Sequence, residues 1–168
     1  MIKRVVTKIG DIFSVEVDDD SIKYFQLIAF DLTQLNSDVI RVFKKEFPTD
    51  MIPDCSELLS GEVEFYAHCI TKLGVKLGYW EKVGRCVDVG ETEHVLFRTT
   101  PDYGRAPGEE RVRVSDNWYV WKIGGPMINV NRLEGENRSS EIGIVMNPES
   151  IVQRIKYGEY QGSFPGFE

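Results

Sequence analysis

The sequence has few of the residues that build disulfide frameworks and metal centres. Its three cysteines, Cys55, Cys69 and Cys86, are an odd number, and none belongs to a C-x-x-C pair. A disulfide scaffold or a zinc knuckle needs cysteines in even number or at close spacing, so neither is predicted. With two histidines, the chain cannot by itself supply a three-histidine metal centre. We predict reduced thiols, no bound metal and no cofactor.

The motifs that most often identify an enzyme are also missing. The sequence contains no G-x-S-x-G, H-E-x-x-H, G-x-x-x-x-G-K-S/T or G-x-G-x-x-G pattern and no EF-hand loop. No apolar run approaches the roughly 20 residues of a membrane helix. The first residues are basic but lead into no apolar signal segment. We therefore predict no catalytic residue, no membrane partner and a cytoplasmic location.

The charge balance excludes another class of function. The chain has 168 residues, with 27 Asp and Glu against 20 Lys and Arg, and its formal net charge is -7. Nucleic-acid binding needs a basic surface that neutralises phosphates, so no nucleic-acid partner is predicted. A hydrophobic content of 42% with 28% charged residues is typical of a globular protein. The length predicts a single domain over residues 1–168.

The stretch 8–32 has the pattern of a β-hairpin. Phe13, Val15 and Val17 alternate with polar residues, as in a half-buried strand. An acidic turn follows, and the next segment, from Tyr24 to Phe30, is apolar on both faces. A strand of this kind belongs inside a sheet. We therefore predict that this hairpin is the template on which the sheet is built.

Later segments have the composition of further strands and of two helices. The further strands are predicted over residues 39–47, 62–70, 79–83, 95–99 and 127–130, and as a hairpin of 111–114 with 118–123 around the turn 115–117. A short helix is predicted near 54–60 and a C-terminal helix near 148–157. The latter has Asn147 as N-cap, Pro148 at N1 and Gly158 as its stop signal. The predicted fold is mainly β (α+β), as a strongly bent antiparallel sheet or a partly open barrel.

One face of the segment 62–70 contains candidate pocket residues. Tyr66 and His68 share its polar face, where a carboxylate from a neighbouring strand would make them a reactive group. Trp80 is a candidate for stacking on a ligand in such a pocket. The alternative is a hydrogen-bonded His68 and a Trp80 packed in the core. Core packing is favoured for at least two of the three tryptophans.

Two groups of acidic residues are candidates for contact with a partner. They are Glu16, Asp19 and Asp20 in the first group, and Asp88, Glu91 and Glu93 in the second. Carboxylates also bind hard cations, but neither group forms an ordered ligand loop. Asp is common in turns because its side chain bonds the backbone nearby. We interpret both groups as solvated turns.

Several segments resemble one family of bacterial proteins. Lys-Ile-Gly-Asp-Ile-Phe-Ser-Val at 8–15 precedes an acidic turn and a strand with Tyr-Phe-Gln-Leu at 24–27. Gly-Tyr-Trp-Glu-Lys-Val-Gly follows at 78–84, then Leu-Phe-Arg at 96–98 before Pro101, and Trp-Tyr-Val-Trp at 118–121. With a final helix entered through Pro148, these segments resemble the Immunity protein 26 family over about residues 8–158. The stretch 48–60 and the aromatic tail depart from the family pattern.

The resemblance implies an immunity protein that binds and neutralises a cognate bacterial toxin, often a nuclease. Nucleases tend to be basic, and opposite charges accelerate encounter, so the toxin is expected to have a basic surface. The resemblance also links the chain to phosphotriester hydrolysis. A small hydrolase, metal-assisted through His68 and His94, is therefore one alternative. A small-molecule-binding β-barrel built around Tyr66 and the tryptophans is another, and it requires an open interior.

Overall fold

The structure is a computed structural model that describes residues 4–103 and 107–168. Strands dominate the described residues, and three α-helices accompany them. The strands are β1 (Asp11–Glu16), β2 (Ser21–Asp31), β3 (Ser37–Phe43), β4 (Phe47–Pro48), β5 (Val63–Cys69), β6 (Glu81–Arg85), β7 (Leu96–Thr99), β8 (Trp118–Lys122), β9 (Ile128–Asn131), β10 (Glu141–Ile142) and β11 (Val145–Met146). The helices are α1 (Cys55–Leu59), α2 (Thr71–Leu77) and α3 (Pro148–Tyr157). The prediction of a mainly β, α+β fold is confirmed.

The predicted hairpin of β1 and β2 lies within the larger of two sheets. Its strand order is β11-β5-β3-β2-β1-β6, and β4 pairs with β2 beyond this path. Phe13 of β1 lies opposite Phe25 of β2, in an antiparallel register. Their rings stack with centroids 5.0 Å apart. β2 has neighbours on both edges, and Tyr24 and Phe25, which point to opposite faces of the sheet, are both buried, as the sequence predicts.

The second sheet is smaller, and one late segment connects it to the first. Its strand order is β10-β7-β8-β9. β10 pairs in parallel with β7, and β11, three residues later, pairs in parallel with β5 of the large sheet. Gly143 makes this crossing possible, because a Cβ there would overlap the Trp121 ring and lie 2.9 Å from the Arg98 carbonyl oxygen. One short segment thus provides an edge strand to each of the two sheets.

The core occupies both faces of the large sheet. On one face, α3 packs Ile151 and Ile155 against the central strands. On the other face, α1 covers one end through Leu58, and the small sheet covers the other end. Asn147 caps α3 by accepting a 2.8 Å hydrogen bond from the Ser150 N–H. Both predicted helices are therefore present.

Several details differ from the sequence predictions. Residues 111–114 do not form a hairpin arm, since Val114 makes only an isolated bridge with Gly166, and β8 pairs with β7 and β9 instead. The helix α2 has no counterpart in the prediction because Gly74 weakens its helical pattern. The glycine is needed there, since a Cβ would overlap the ring of Trp80.

Candidate protein-binding surface

The structure separates the three residues of the predicted pocket. Tyr66 and His68 lie on the face of β5 that packs toward the small sheet. Trp80 belongs to the cluster on the opposite face, with its ring centroid 5.1 Å from that of Phe25. Its Nε1–H donates to the Thr71 carbonyl over 2.9 Å. All three tryptophans of the chain are at most 2% exposed, so the prediction of core packing is confirmed.

His68 belongs to a buried network that joins the two sheets. Its Nε2–H donates over 2.9 Å to Oδ2 of Asp31, which also accepts the Trp121 indole N–H over 3.0 Å. The other oxygen of Asp31 accepts the backbone N–H groups of Gln34 and Gly124, each over 3.2 Å. These donors come from β5, from β8 and from the turns that follow β2 and β8. One carboxylate therefore connects the large sheet to the small sheet.

The electrostatics of this pair favour a structural role. Burial lowers the pKa of His68 by more than the Asp31 carboxylate raises it, so the imidazole is neutral at neutral pH. Burial acts to raise the pKa of Asp31, but the hydrogen bonds it accepts lower this pKa below its ordinary value. Both side chains are 0% exposed. Neither reaches a substrate, and His68 is the hydrogen-bonded histidine of the alternative interpretation.

Tyr66 lies at the rim of the same layer and is held by polar contacts. Its hydroxyl is 3.4 Å from Nε2 of His94, and its backbone N–H donates to Glu141 over 3.3 Å. Glu141 pairs with Arg154 at 3.2 Å. Burial raises the pKa of Glu141, and Arg154 opposes this shift. The carboxylate expected beside Tyr66 is thus present, but it belongs to an internal ion pair.

The first acidic group lies at the end of β1, where Glu16 is the last strand residue, and in the turn to β2, which contains Asp19 and Asp20. Oδ1 of Asp18 accepts the N–H groups of Asp20 and Ser21, over 2.9 and 2.8 Å, and these bonds contribute to lowering the pKa of Asp18. Glu16, Asp19 and Asp20 are exposed. Their carboxylates are therefore accessible to a partner.

The second acidic group, Asp88, Glu91 and Glu93, lies in the loop between β6 and β7 and is also exposed. Gln26 and Arg41 hold this loop by donating to the Asp88 carbonyl oxygen over 3.0 and 3.3 Å. Along the hairpin Gln26 lies six residues from Asp20 and four from Glu16, about 20 and 13 Å in a strand. The two acidic groups thus form separate patches. Within residues 4–103 and 107–168, no three His, Cys, Asp or Glu side chains converge as a metal site.

The prediction of reduced thiols is wrong for two of the three cysteines. Cys55 and Cys86 form a disulfide, with their Cα atoms 5.7 Å apart and a sequence separation of 31 residues. Cys55 begins α1, and Cys86 follows β6, so the bond ties the 51–60 segment to the edge of the large sheet. The spacing of the cysteines does not predict this pairing. Cys69 is free and buried.

An open cleft beside β6 brings together residues from both sets of predictions. We call it the β6 cleft, and it has a volume of about 480 Å³. Its lining residues include Glu16 of β1, Tyr79, Trp80 and Glu81 at the start of β6, and Glu149, Val152 and Lys156 of α3. The lining therefore contains three carboxylates, one ammonium group and an exposed tyrosine. Electrostatically, the β6 cleft favours a cation.

Sequence reasoning identified only part of this cleft. From the sequence, Glu16 is a candidate for contact with a partner, and Trp80 is a candidate for stacking on a ligand. Glu81 follows Trp80 directly, and Glu149 lies in the first turn of the predicted C-terminal helix, where an acidic residue is explained by the helix dipole. Nothing in the linear sequence indicates that α3 packs beside β6. The cleft is a product of tertiary packing.

Among the described residues, no helix combines the length and apolar character needed to cross a membrane. Comparison of the chain with protein-family models, with curated proteins and with solved structures found no match.

Proposed function

We propose that this protein is an immunity protein that binds a cognate bacterial toxin and neutralises it, the toxin being a basic protein such as a nuclease. The observation that carries the proposal is the β6 cleft, whose lining contains three carboxylates and the exposed Tyr79 beside a single lysine; the carboxylates are those of Glu16, Glu81 and Glu149. Lys and Arg side chains of a partner gain from nearby carboxylates and from an aromatic face. The resemblance to the Immunity protein 26 family supports the same function.

The placement of the other charged groups supports binding rather than chemistry. Asp31 and His68 are used inside the protein to join the sheets. The remaining acidic candidates, such as Asp20 and Glu91, are exposed in turns. With a net charge of -7, the whole molecule attracts a basic protein. Recognition by a charged surface accelerates encounter and depends on salt.

The test uses the toxin encoded by the gene adjacent to this one. Co-expression of the protein is expected to protect cells from that toxin, and the purified pair is expected to bind. Reversal of two cleft charges, in Glu81→Lys with Glu149→Lys, is expected to weaken binding at low salt at least about tenfold, since each 1.4 kcal/mol is a factor of ten. The matched control is Glu134→Lys with Glu136→Lys, two exposed residues of another region.

Two results contradict the proposal. One is a co-expressed toxin that still kills the cell although this protein is folded and abundant. The other is an equal loss of affinity in the two double variants, because net charge alone would then explain the binding.

A further inference from the structure

β6 presents one of its edges to solvent. All five of its residues are exposed, and it pairs with β1 alone among the described strands. In an edge strand, alternate backbone N–H and C=O groups point outward without a ladder partner. Such an edge can accept an extended segment of another chain as an additional strand.

The charged residues of β6 leave this edge accessible. Lys and Arg on an edge strand ordinarily discourage pairing with another chain. Here Lys82 turns back to form an ion pair with Asp11 over 2.9 Å. Arg85 turns back as well, and its Nε–H donates to the Ile9 carbonyl oxygen over 3.1 Å. Both side chains are engaged with the residues that precede and begin β1.

A second cleft lies further along the same strand. It has a volume of about 200 Å³ and is lined by apolar side chains and by the Cys55–Cys86 disulfide, so we call it the disulfide groove. Its apolar residues are Ile12, Tyr24, Ile52, Leu58 and Val83. Ile52 is 87% exposed and Val83 is 47% exposed, so the groove has apolar surface in contact with water. The disulfide fixes its outer wall by holding the 51–60 segment against β6.

The two clefts occupy successive positions on β6. The β6 cleft includes Glu81 and lies on the α3 side of the large sheet, whereas the disulfide groove includes Val83 and Arg85 and lies on the α1 side. A strand of five residues spans about 17 Å and sends successive side chains to opposite sides, so one extended segment of a partner along β6 presents side chains to both clefts. An aliphatic side chain fits the apolar groove, and a basic side chain fits the three carboxylates of the β6 cleft.

We propose that β6 binds an extended segment of a partner protein as an additional strand, with an aliphatic side chain in the disulfide groove and a Lys or Arg in the β6 cleft. The basic character of this partner rests on the proposed function. The backbone edge supplies hydrogen bonds that do not depend on sequence, and the two clefts supply the selectivity. The charge complementarity at the Glu81 end decides between a basic and an acidic segment.

The edge of the small sheet provides an internal comparison. β9 is also an edge strand, and its Ile128 is 56% exposed. Its sequence, Ile-Asn-Val-Asn, contains no charged residue. A peptide that binds any exposed edge would bind β9 and β6 alike, whereas the proposal predicts binding at β6.

The experiment titrates isotope-labelled protein with the blocked peptide Thr-Ile-Thr-Val-Thr-Thr-Lys-Thr-Lys, whose aliphatic and lysine side chains point to opposite sides of a strand, and with the same peptide in reverse order, in amide-resolved NMR. Shift changes are expected over residues 81–86 and 51–58. Val83→Asp is expected to weaken binding at least about fivefold, the loss of roughly 1 kcal/mol that marks a contributing interface residue. Ile128→Asp, at a similarly exposed position, is expected to leave the affinity unchanged. The amide spectrum of each free variant shows whether it is folded.

Three outcomes overturn the inference. They are an absence of shifts at millimolar peptide, shifts at β9 equal to those at β6, and equal binding of a peptide with glutamate in place of lysine. The proposed function fails differently, through a co-expressed toxin that still kills. Peptide binding at β6 without protection retains the docking edge and rejects the immunity role. Protection of cells without peptide binding at β6 retains the immunity role and rejects the docking edge.

Discussion

The Asp31 carboxylate accepts hydrogen bonds from β5, from β8 and from the turns that follow β2 and β8. Replacing Asp31 therefore tests directly how the two sheets are joined. Asp31→Ala removes the acceptor of four hydrogen bonds, two of them from the side chains of His68 and Trp121. These donors are left in the interior without a partner. Each buried donor left without an acceptor costs about 1–3 kcal/mol, so the loss of the acceptor of these two side chains is expected to cost about 2–6 kcal/mol. That is a large part of the roughly 5–15 kcal/mol that stabilises a typical domain.

Urea unfolding followed by tryptophan fluorescence measures this loss, because all three tryptophans are buried. Asp31→Asn retains the shape and one oxygen acceptor, but its amide N–H₂ faces two donors, so a smaller loss of about 2–3 kcal/mol is expected. Asp19→Ala makes the same truncation at an exposed position and is expected to change stability by less than about 0.5 kcal/mol. If the free energy of unfolding of Asp31→Ala lies within about 1 kcal/mol of that of the unaltered protein, the network does not hold the sheets together.

The same network predicts the direction of the pH dependence. The folded-state pKa values of His68 and Asp31 both lie below their ordinary values of 6.5 and 3.8. A lowered pKa gives stability that is present above the unfolded-state value and lost as pH falls toward the folded-state value. The free energy of unfolding is therefore expected to decrease below about pH 6.5 and again below about pH 4. A stability that rises on acidification from pH 7 to pH 5 contradicts this assignment for His68.

Other predictions concern the disulfide, the crossing segment and the last helix. Reduction of Cys55–Cys86, or Cys55→Ser, is expected to remove about 3.7 kcal/mol of stability by the loop-entropy relation for the 31-residue separation. Mass spectrometry of alkylated protein from the producing cells should find one free cysteine, whereas three would match the predicted cytoplasmic, reduced state. Gly143→Ala is expected to destabilise the fold by about 1–3 kcal/mol through overlap with the Trp121 ring, measured by thermal unfolding. Asn147→Ala should cost about 1 kcal/mol by removing the N-cap, whereas Asn147→Asp should retain most of it.

The parts of the fold that follow from local pattern were predictable from the sequence. The hairpin of β1 and β2 and the alternation in β5 depend on side chains two residues apart, which the sequence shows directly. The helix α3 has its cap, its first-turn proline and its terminal glycine in consecutive positions. These signals act over a few residues, so they do not require knowledge of what packs against them.

The features that sequence reasoning missed all depend on distant contacts. The arm at 111–114 has strand-like composition, but β7 and β9 already occupy both edges of β8. Strands as short as β10 and β11 carry no periodic signal, because two residues cannot show alternation. The disulfide joins positions 31 residues apart with no motif around them. The charge of the β6 cleft likewise arises only when α3 brings Glu149 toward Glu81.

The crossing segment that includes Gly143 has a consequence for how the chain reaches this structure. Both of its strands pair in parallel with strands formed much earlier in the chain, β7 and β5. Pairings of this kind form slowly, because the entropy of closing a long loop is lost before the strand contact contributes any stability. During synthesis β5 and β7 each keep one unpaired edge until residues 141–146 have been added to the chain. Assembly of both sheets therefore ends in one late event, and a slow step in refolding is expected to involve this segment.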